Sequence, residues 1–381
     1  MAITSKLPQV GTTIFTRMSA LARQHNALNL SQGFPDFPAP LALREALARH
    51  AIDSHNQYAP MIGELALREQ IASQLQRFRG VSPHVNDEIT VVPGATEGIF
   101  CAIMGLVNSG DEVLVLDPCY DSYEPAIALA GGRAVHVSLQ DSTFAIDWQH
   151  LGDAVSSRTR MIIINSPHNP SGAVLSHEDM EQLQEMAELH NLWVISDEVY
   201  EHLVFDGAHH HSVLQYPGLR ARSVAVFSFG KTYGVTGWKT GYCVAPPAIS
   251  TELRKVHQYV CFVGVTPVQQ ALAEFIAAEP DYPAALAALY QHKRDLLLEA
   301  LANSQFKLTP SAGTYFQLLD YSAVSQQADH QLCEQWTTQH GLATIPVSIF
   351  YQAPPQQHCL RLCFAKRDEQ LLRAAEILCR I

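Results

Sequence analysis

The spacing of apolar and polar positions divides the chain into three regions. Apolar residues recur at helical spacing in 12–27, 41–50 and 64–78, with irregular, turn-rich segments between them. From residue 88 the pattern changes to short runs of Val, Ile and Leu that alternate with helical stretches. Such continuous apolar runs are typical of strands buried on both faces of a parallel sheet. Beyond residue 250 helical spacing dominates again.

These patterns predict individual elements and a fold class. The strands of one large sheet are predicted at 88–92, 112–116, 134–139, 161–165, 192–196 and 224–227, with 242–245 as a further strand of undetermined direction. Helices are predicted at 97–107, 122–130, from Ser176, and at 251–262, 267–278, 283–304, 329–340 and 368–380, with later strands at 313–319 and 359–364. Ser176 and Asp179 have the spacing of a capping box. We therefore predict an α/β protein whose large domain holds a mostly parallel sheet flanked by helices, with a smaller α+β domain.

The predicted domain division has three parts. Residues 1–38 form an N-terminal arm and part of the small domain, 39–275 form the large domain, and 276–381 form the small C-terminal domain. A chain of 381 residues with 47% apolar and 16% charged residues is typical of a globular enzyme with a sizeable core. The net charge of −12 argues against nucleic acid or an anionic membrane as a partner.

Cysteine and histidine usage predicts reduced thiols and no metal site. The eight cysteines include no Cys-x-x-Cys pair, which favours mostly buried thiols in a cytoplasmic protein. The N-terminus lacks the apolar core of a signal peptide, and no run reaches the ~20 apolar residues that a membrane-spanning helix needs. The run His209-His210-His211 is expected to be a solvated loop rather than a metal site, because adjacent histidines converge poorly on one ion.

Candidate chemistry collects at the carboxyl ends of five predicted strands. The residues there are, in chain order, the Gly94-Ala95-Thr96 turn, Tyr120, Asn169, the pair Asp197 and Tyr200, and the group Ser228, Lys231 and Lys239. Each has an ordinary explanation on its own, as a helix start, a core aromatic, a turn, a helix cap or a surface lysine. In open α/β sheets, however, ligands bind beyond the carboxyl ends of the strands. Their coincidence at one edge favours a single site.

The residue types suit a phosphorylated aromatic aldehyde. A glycine turn that enters a helix offers free N–H groups to a phosphate, although Glu97 opposes an anion unless it points away. A desolvated lysine is neutral, and a neutral amine attacks an aldehyde to form a Schiff base. A buried carboxylate such as that of Asp197 raises the pKa of a ring nitrogen.

One stretch carries a family resemblance. Ser228-Phe-Gly-Lys231-Thr-Tyr-Gly-Val-Thr-Gly-Trp-Lys239-Thr-Gly241 resembles the pyridoxal-phosphate lysine motif of fold-type-I, class I aminotransferases. Within that family it resembles most the kynurenine/glutamine-transaminase branch and its bacterial methionine aminotransferases, and the resemblance covers essentially the whole chain. It implies that pyridoxal 5′-phosphate is bound to Lys231 as a Schiff base, with Ser228 and Lys239 on its phosphate.

The resemblance also implies roles for the other residues. Asp197 corresponds to the partner of the pyridine nitrogen, Tyr200 and Asn169 to the partners of the ring oxygen, Tyr120 to the stacking aromatic, and Ala95 and Thr96 to the phosphate turn. Tyr58 corresponds to a tyrosine that reaches the phosphate of the neighbouring subunit, which implies a homodimer with shared active sites. Arg361 corresponds to the residue that binds the substrate α-carboxylate, and Gly33 lies beside it. From the residues alone, Arg361 could instead form a structural ion pair with Asp or Glu.

The implied reaction is ping-pong transamination between an amino acid and a 2-oxo acid, with Lys231 as the base. Phe15, Phe34 and, across the dimer, Phe262 resemble an apolar lining, which favours methionine and also admits Phe, Tyr, His, Gln or kynurenine. Two positions depart from the branch: Gly98 replaces its usual Ala, and Val263 replaces the His of mammalian relatives, which puts transfer of their substrate preference in doubt. A carbon–sulfur β-lyase and a non-catalytic regulator of the same fold are the alternatives.

Overall fold

A computed structural model describes residues 3–53 and 56–381; Met1, Ala2, Ser54 and His55 lie outside the described residues. The α-helices are, in chain order, α1 (Ile14–Gln24), α2 (Leu41–Ile52), α3 (Leu65–Arg79), α4 (Ala95–Leu106), α5 (Tyr123–Leu129), α6 (Trp148–Asp153), α7 (His177–Leu189), α8 (Pro217–Arg220), α9 (Phe229–Thr232), α10 (Pro247–Val260), α11 (Thr266–Ala278), α12 (Tyr282–Ala300), α13 (Asp329–Gln335) and α14 (Asp368–Leu378). Short 3₁₀ turns lie at Val213–Gln215, Thr236–Trp238 and Ser348–Phe350, and a π-helical turn at Trp336–His340 continues α13.

The strands form one large sheet and two small ones. They are β1 (Leu28–Asn29), β2 (Ile89–Val92), β3 (Glu112–Asp117), β4 (Arg133–Ser138), β5 (Thr159–Asn165), β6 (Trp193–Asp197), β7 (Ser223–Ser228), β8 (Gly241–Val244), β9 (Phe316–Asp320), β10 (Leu342–Ala343), β11 (Ile345–Pro346) and β12 (Cys359–Cys363). The large sheet has the order β2-β8-β7-β6-β5-β3-β4. Only β8 runs against its neighbours, so the predicted α/β class with a mostly parallel sheet is confirmed. The strand whose direction the sequence left open is this antiparallel one.

Both faces of the large sheet are buried, as the continuous apolar runs predict. Along β5, Ile162 and Ile164 join one core cluster, whereas Met161 and Ile163 join a second cluster on the opposite face. This alternation is the two-residue period of a strand, with apolar side chains required on both sides. Burying each of these side chains contributes roughly 1.5–3 kcal/mol.

The N-terminal segment packs with the C-terminal part of the chain. β11, β12 and β9 form an antiparallel sheet whose core also contains Met18 and Ala22 of α1. β1 pairs in parallel with β10, with Leu28 opposite Leu342. The segment that follows β1 therefore lies between the large sheet and the small antiparallel sheet, because Lys231 contacts Gly33 and Arg361 of β12 contacts Ser31. The division at residues 38 and 275 stays a prediction.

Two local predictions have different outcomes. The capping box is confirmed, because Ser176 Oγ accepts the N–H of Asp179 while the Asp179 carboxylate accepts the N–H of Ser176. The prediction that His209-His210-His211 form a solvated loop is wrong for His210. This residue is buried, with its Nε2 2.8 Å from Glu198 Oε2, whereas His209 is exposed. The reason is that the buried Glu198 carboxylate requires a hydrogen-bonding partner.

The cysteines and the helices bear on two further expectations, mostly buried free thiols and the absence of a membrane-spanning helix. All eight cysteines are free, and four of them are buried: Cys101, Cys243, Cys333 and Cys363. Within the described ranges, no helix combines the length and the apolar character that a membrane span requires. Two groups bring a carboxylate, a thiol and an imidazole together, Glu97-Cys101-His257 and Asp117-Cys119-His136. In each group the imidazole already hydrogen-bonds the carboxylate, at 2.7 and 2.8 Å.

Candidate active site

The carboxyl ends of the parallel strands meet at one edge of the large sheet and form the floor of a cavity. Asn165 and Asp197 lie side by side at the ends of β5 and β6, and Ser228 pairs with Gly241 at the end of β7. The cavity has a volume of about 350 Å³. It is lined by Phe15, Gln32, Gly33, Gly94, Ala95, Thr96, Ile99, Tyr120, Asn165, Asn169, Asp197, Val199, Tyr200, Ser228, Gly230, Lys231, Thr236, Lys239, Thr240, Phe316 and Arg361. Every predicted site residue except Phe34, Tyr58 and Phe262 therefore lines one cavity.

Lys231 lies in α9, a single helical turn directly after β7. Its Nζ donates to the hydroxyl of Tyr315 at 3.0 Å and to the carbonyl of Gly33 at 3.3 Å. Burial of the amine lowers the pKa of Lys231 to about 8, with Arg361 and Lys239 also lowering it and Cys363 and Asp197 opposing them. A substantial fraction of the amine is therefore neutral near physiological pH, as attack on an aldehyde requires.

Asp197 ends β6 as a carboxylate surrounded by protein. Its Oδ2 accepts a hydrogen bond of 2.6 Å from the Tyr123 hydroxyl, and its Oδ1 accepts a weaker one of 3.4 Å from the N–H of Val199. Burial raises the pKa of Asp197 to about 6, and the Tyr123 hydrogen bond partly offsets this rise. No Lys, Arg or His of the described residues forms an ion pair with Asp197 at contact distance. A cation supplied by a ligand at this point would be stabilised.

Asn169 is held between the large sheet and Arg361. Its backbone N–H donates to Asn165 Oδ1 at 2.8 Å, and Asn165 Nδ2 donates to the carbonyl of Asp197 at 2.8 Å. Asn169 Oδ1 accepts from Arg361 Nη1 at 2.7 Å, which leaves its amide N–H₂ free to donate. Asn165 was not among the predicted site residues, although it is the last residue of its strand.

The tyrosines close two sides of the cavity. Tyr120 follows β3, and its ring lies 5.8 Å from that of Tyr123 in an edge-to-face contact. Burial raises the pKa of Tyr120 to about 12 and raises that of Tyr200 further, so both phenols are protonated at physiological pH. Both side chains can therefore donate a hydrogen bond or offer a ring face to a ligand.

The end of the cavity that is formed by the first turn of α4 and Lys239 is suited to binding an anion. Ala95 and Thr96 form the first turn of α4, where N–H groups lack intrahelical partners. Lys239 reaches this turn, because a Cβ built on Gly94 would lie 3.2 Å from Lys239 Nζ. Glu97 points away, with its Oε1 2.7 Å from Nδ1 of the fully buried His257. The Glu97 carboxylate, which would repel a bound anion, therefore points away from this end of the cavity.

Arg361 projects from β12 and is 1% exposed. Its Nη2 donates to the carbonyl of Ser31 at 3.1 Å, and its Nε has no partner. The guanidinium lies against three aromatic rings, those of Phe316, Phe15 and Phe350, at 3.9, 5.3 and 5.5 Å. Across the described chain no carboxylate pairs with Arg361, so the structural ion pair is not formed. A buried guanidinium with an unused donor favours a carboxylate ligand.

Tyr58 and Phe262 lie away from this cavity. Tyr58 is 84% exposed, and its ring contacts that of Phe262 at 5.5 Å. Phe34 also lies outside the cavity lining, with its ring 4.9 Å from Lys366 Nζ, so within one protomer its predicted contribution to the side-chain pocket is wrong. The reason is that Lys366 donates to the carbonyl of Phe34 at 2.8 Å and fixes this residue over the neighbouring cleft.

Besides Asn165 and Phe316, three further residues that touch the predicted ones were not foreseen. Tyr123 donates to Asp197, Tyr315 accepts from Lys231, and Phe350 packs against Phe15 at 6.0 Å. Tyr123 stands three residues after Tyr120, so its place near the strand end was a usable signal. Tyr315 and Phe350 come from the C-terminal part, and no local pattern indicates which strand end they meet.

Comparison with known proteins identifies the family of the chain. The family model described as aminotransferase class I and II matches residues 25–378. The chain is 54% identical to methionine aminotransferase of Escherichia coli over 98% of this chain and 97% of that protein. It is 34% identical to human kynurenine–oxoglutarate transaminase 1 over 93% of this chain and 92% of that protein.

Solved structures show the same fold. An Escherichia coli protein with a methionine aminotransferase function superposes with a TM-score of 0.98 at 52% identity over the whole of both chains. N-succinyldiaminopimelate aminotransferase of Mycobacterium tuberculosis superposes with a TM-score of 0.96 at 40% identity, also over the whole of both chains.

Proposed function

The chain belongs to the class I and II aminotransferases, and from this membership we propose that it uses pyridoxal 5′-phosphate to transfer the amino group of methionine to a 2-oxo acid. The observation that carries the proposal is that one cavity joins three groups. These are the Lys231 amine, the buried Asp197 carboxylate without an ion-pair partner, and the Arg361 guanidinium with an unused donor. Each is costly in a protein interior without a ligand.

The cavity fits this cofactor at both ends. The first turn of α4, Lys239 and Ser228 would hold the phosphate, and Asp197 would hold the protonated ring nitrogen. Gly241 supports the fit, because a Cβ there would lie 2.4 Å from the carbonyl of Phe227 and 3.1 Å from the backbone nitrogen of Ala95. When bound, the cofactor supplies an aldehyde that takes up the amino group and a ring that withdraws electrons from the substrate Cα.

The chain's own residues would bind the substrate, transfer the proton and keep Asp197 charged. Arg361 binds the substrate carboxylate, with the Gly33 segment beside it, which orients the Cα–H bond toward Lys231. Lys231 would bind the cofactor aldehyde and, once released, its amine would act as the general base that accepts the Cα proton. Tyr123 favours the ionised form of Asp197 by donating to it, and Asn169 and Tyr200 would donate to the ring oxygen of the cofactor. Two successive half-reactions at one lysine give ping-pong kinetics.

The side-chain preference rests on the apolar surroundings of Arg361. Phe15 and Phe316, which line the cavity, and Phe350, which does not, surround its guanidinium. Among the described residues, no second arginine lines this cavity. Such a lining favours methionine and aromatic side chains over those of aspartate or glutamate. The names of the Escherichia coli and human relatives, for methionine and kynurenine, agree with this preference.

An amino-donor panel tests the proposal. Purified protein is incubated with methionine, phenylalanine, tyrosine, histidine, glutamine, kynurenine and aspartate, each with several 2-oxo acids, and the new oxo and amino acids are quantified. Methionine is expected to have the highest kcat/KM and aspartate the lowest. Pyruvate and ammonia formed from a cysteine conjugate without any oxo acid would instead favour a β-lyase. Absence of a borohydride-trapped adduct on Lys231 would refute the cofactor assignment.

We propose further that two copies of the chain form a cytoplasmic homodimer in which Tyr58 reaches the phosphate of the partner's site. Support comes from the exposed aromatic pair of Tyr58 and Phe262, together with Tyr259 at 86% exposure and Val265 at 58%. Large apolar side chains concentrated on one surface mark an association site.

A further inference from the structure

The Lys231 amine belongs to a closed triangle of polar groups from three parts of the chain. Lys231 Nζ donates to the hydroxyl oxygen of Tyr315 and to the carbonyl of Gly33. The Tyr315 hydroxyl also donates to the Gly33 carbonyl, at 2.5 Å. A phenol has one hydrogen, so this second bond leaves only lone pairs facing the amine. Tyr315 is therefore an acceptor for the N–H groups of Lys231.

The position of Tyr315 is fixed by its surroundings. It is fully buried directly before β9, and its ring contacts those of Tyr200 at 5.2 Å, Phe316 at 4.9 Å and Tyr290 at 5.7 Å. Burial raises the pKa of Tyr315 well above its ordinary value, so the phenol keeps its proton. The hydroxyl oxygen consequently cannot move away from the amine without disrupting the aromatic cluster.

The surroundings of Lys231 have opposing effects on the charge of its amine, so the hydrogen bond to Tyr315 can shift the balance between the charged and neutral forms. Burial, Arg361 and Lys239 disfavour the protonated amine, whereas the Asp197 carboxylate favours it. Tyr200 and Tyr315 are the neutral groups whose rings face Nζ, each with its centroid at 5.6 Å. A hydrogen bond from the amine to a fixed oxygen favours the charged form.

We propose that Tyr315 is a positioning residue for the Lys231 base: it holds the free amine beside Gly33 and stabilises its protonated state during the proton transfer. The inference rests on the proposed function, because it gives Tyr315 a part in the step that Lys231 performs. Tyr315 acts through Lys231 and lies outside the cavity lining, so it is expected to affect proton transfer and not substrate binding.

Cofactor-free protein provides the first test. The pH dependence with which a small amine-reactive reagent labels Lys231 is measured at peptide level by mass spectrometry, in wild type and in Tyr315→Phe. Loss of the acceptor disfavours the ammonium, so the labelling midpoint is expected to fall by about one pH unit. Tyr290→Phe is the matched control, because it removes a buried hydroxyl from the same aromatic cluster and is expected to leave the midpoint unchanged. An unchanged midpoint in folded Tyr315→Phe would overturn the proposal.

A second variant covers the case in which Tyr315→Phe unfolds. Site-specific 3-fluorotyrosine at position 315 keeps the shape and the hydroxyl but weakens its oxygen as an acceptor. The midpoint is expected to move in the same direction by a smaller amount, and an unmoved midpoint would contradict the inference.

Steady-state kinetics of the loaded enzyme separate positioning from general destabilisation. In Tyr315→Phe, kcat is expected to fall about tenfold while KM for methionine stays within about twofold. A raised KM with unchanged kcat would refute the assignment. Failure of the proposed function is distinguishable, because it would appear as absence of a borohydride-trapped adduct in wild type, whereas the labelling experiment needs no cofactor.

Discussion

Asp197 shows that a buried carboxylate, which we propose serves a ligand, can cost the fold stability. Its pKa is raised by burial from an ordinary value of 3.8 to about 6, so its charge is disfavoured in the folded chain relative to the unfolded one. For an acid with a raised pKa, this cost is absent below pH ~4, grows between the two pKa values and is complete above pH ~6. The carboxylate therefore destabilises the cofactor-free protein at neutral pH.

The first prediction concerns this cost. Asp197→Asn is expected to raise the free energy of unfolding of cofactor-free protein by about 1–3 kcal/mol at pH 7.5, and the gain should vanish toward pH 4. Urea unfolding at both pH values measures it. The same substitution should reduce transamination at least a hundredfold or so, because the ring nitrogen loses its anionic partner. A variant that is less stable than wild type at pH 7.5 would contradict the burial argument.

The second prediction concerns Tyr123, which donates to Asp197. Tyr123→Phe removes a bond that favours the ionised carboxylate, so the pKa of Asp197 should rise further. The acidic limb of the pH profile of kcat is expected to move upward by about one pH unit. Tyr216→Phe is a suitable control, because its hydroxyl contacts His177 and His211 away from the cavity. An unchanged acidic limb would show that Tyr123 does not affect the pKa of Asp197.

The third prediction separates the roles of the two lysines in the Ser228–Gly241 motif. Lys231→Ala is expected to abolish transamination while leaving the protein folded. Lys239→Ala should retain activity at saturating cofactor but raise the cofactor dissociation constant roughly ten- to a hundredfold, since one charge-assisted contact is lost. Equilibrium binding of pyridoxal phosphate, compared with unphosphorylated pyridoxal, measures this. Equal losses for both ligands would show that Lys239 does not act on the phosphate.

At the scale of elements, α4 packs so closely on the large sheet that Gly98 has no room for a Cβ. A Cβ on Gly98 would lie 2.5 Å from Cys243 Sγ of β8 and 3.2 Å from Val92 Cγ2. The Gly98 position is therefore coupled to the cysteine on the facing strand. The contact also fixes the distance between the first turn of α4 and the sheet edge.

The fourth prediction follows from this contact. Gly98→Ala adds helix propensity worth about 1 kcal/mol but overpacks a filled space at a cost of about 1–3 kcal/mol. In a Cys243→Ala background the cost should disappear, so the two substitutions are expected to show a coupling of at least about 1 kcal/mol in a double-mutant cycle. Additive effects on the urea midpoint would refute the contact.

For the whole molecule, the fifth prediction tests the shared site. Lys231→Ala and Tyr58→Ala are each expected to be impaired as homodimers, Tyr58→Ala through weaker cofactor retention. A mixed dimer contains one site with both residues intact, so unfolding and refolding the variants together should restore activity at low cofactor concentration. A mixture no more active than its components, with mixed dimers verified by mass, would exclude a shared site.

Much of this architecture could be predicted because strand ends are local signals. A buried apolar run followed by Asp197, Asn169 or Lys231 places that residue at one sheet edge whatever the rest of the chain does. The direction of β8 could not be predicted, since an antiparallel strand buried on both faces has the same apolar pattern as a parallel one. The contacts of Tyr315 and His210 depend on long-range packing, which no local periodicity encodes.

The pairing of β1 with β10 has a consequence for biosynthesis. Leu28 and Leu342 are separated by most of the chain, and the carbonyl of Ser31 is held by Arg361, close to the C-terminus. When β7 and Lys231 have just emerged from the ribosome, the nascent chain can assemble much of the large sheet. Residues 28–31 then still lack β10 and Arg361, which hold them in place. Such distant contacts are slow to form. Lys231 is therefore synthesised well before Arg361, so the site that we propose can be completed only after residue 361 has left the ribosome.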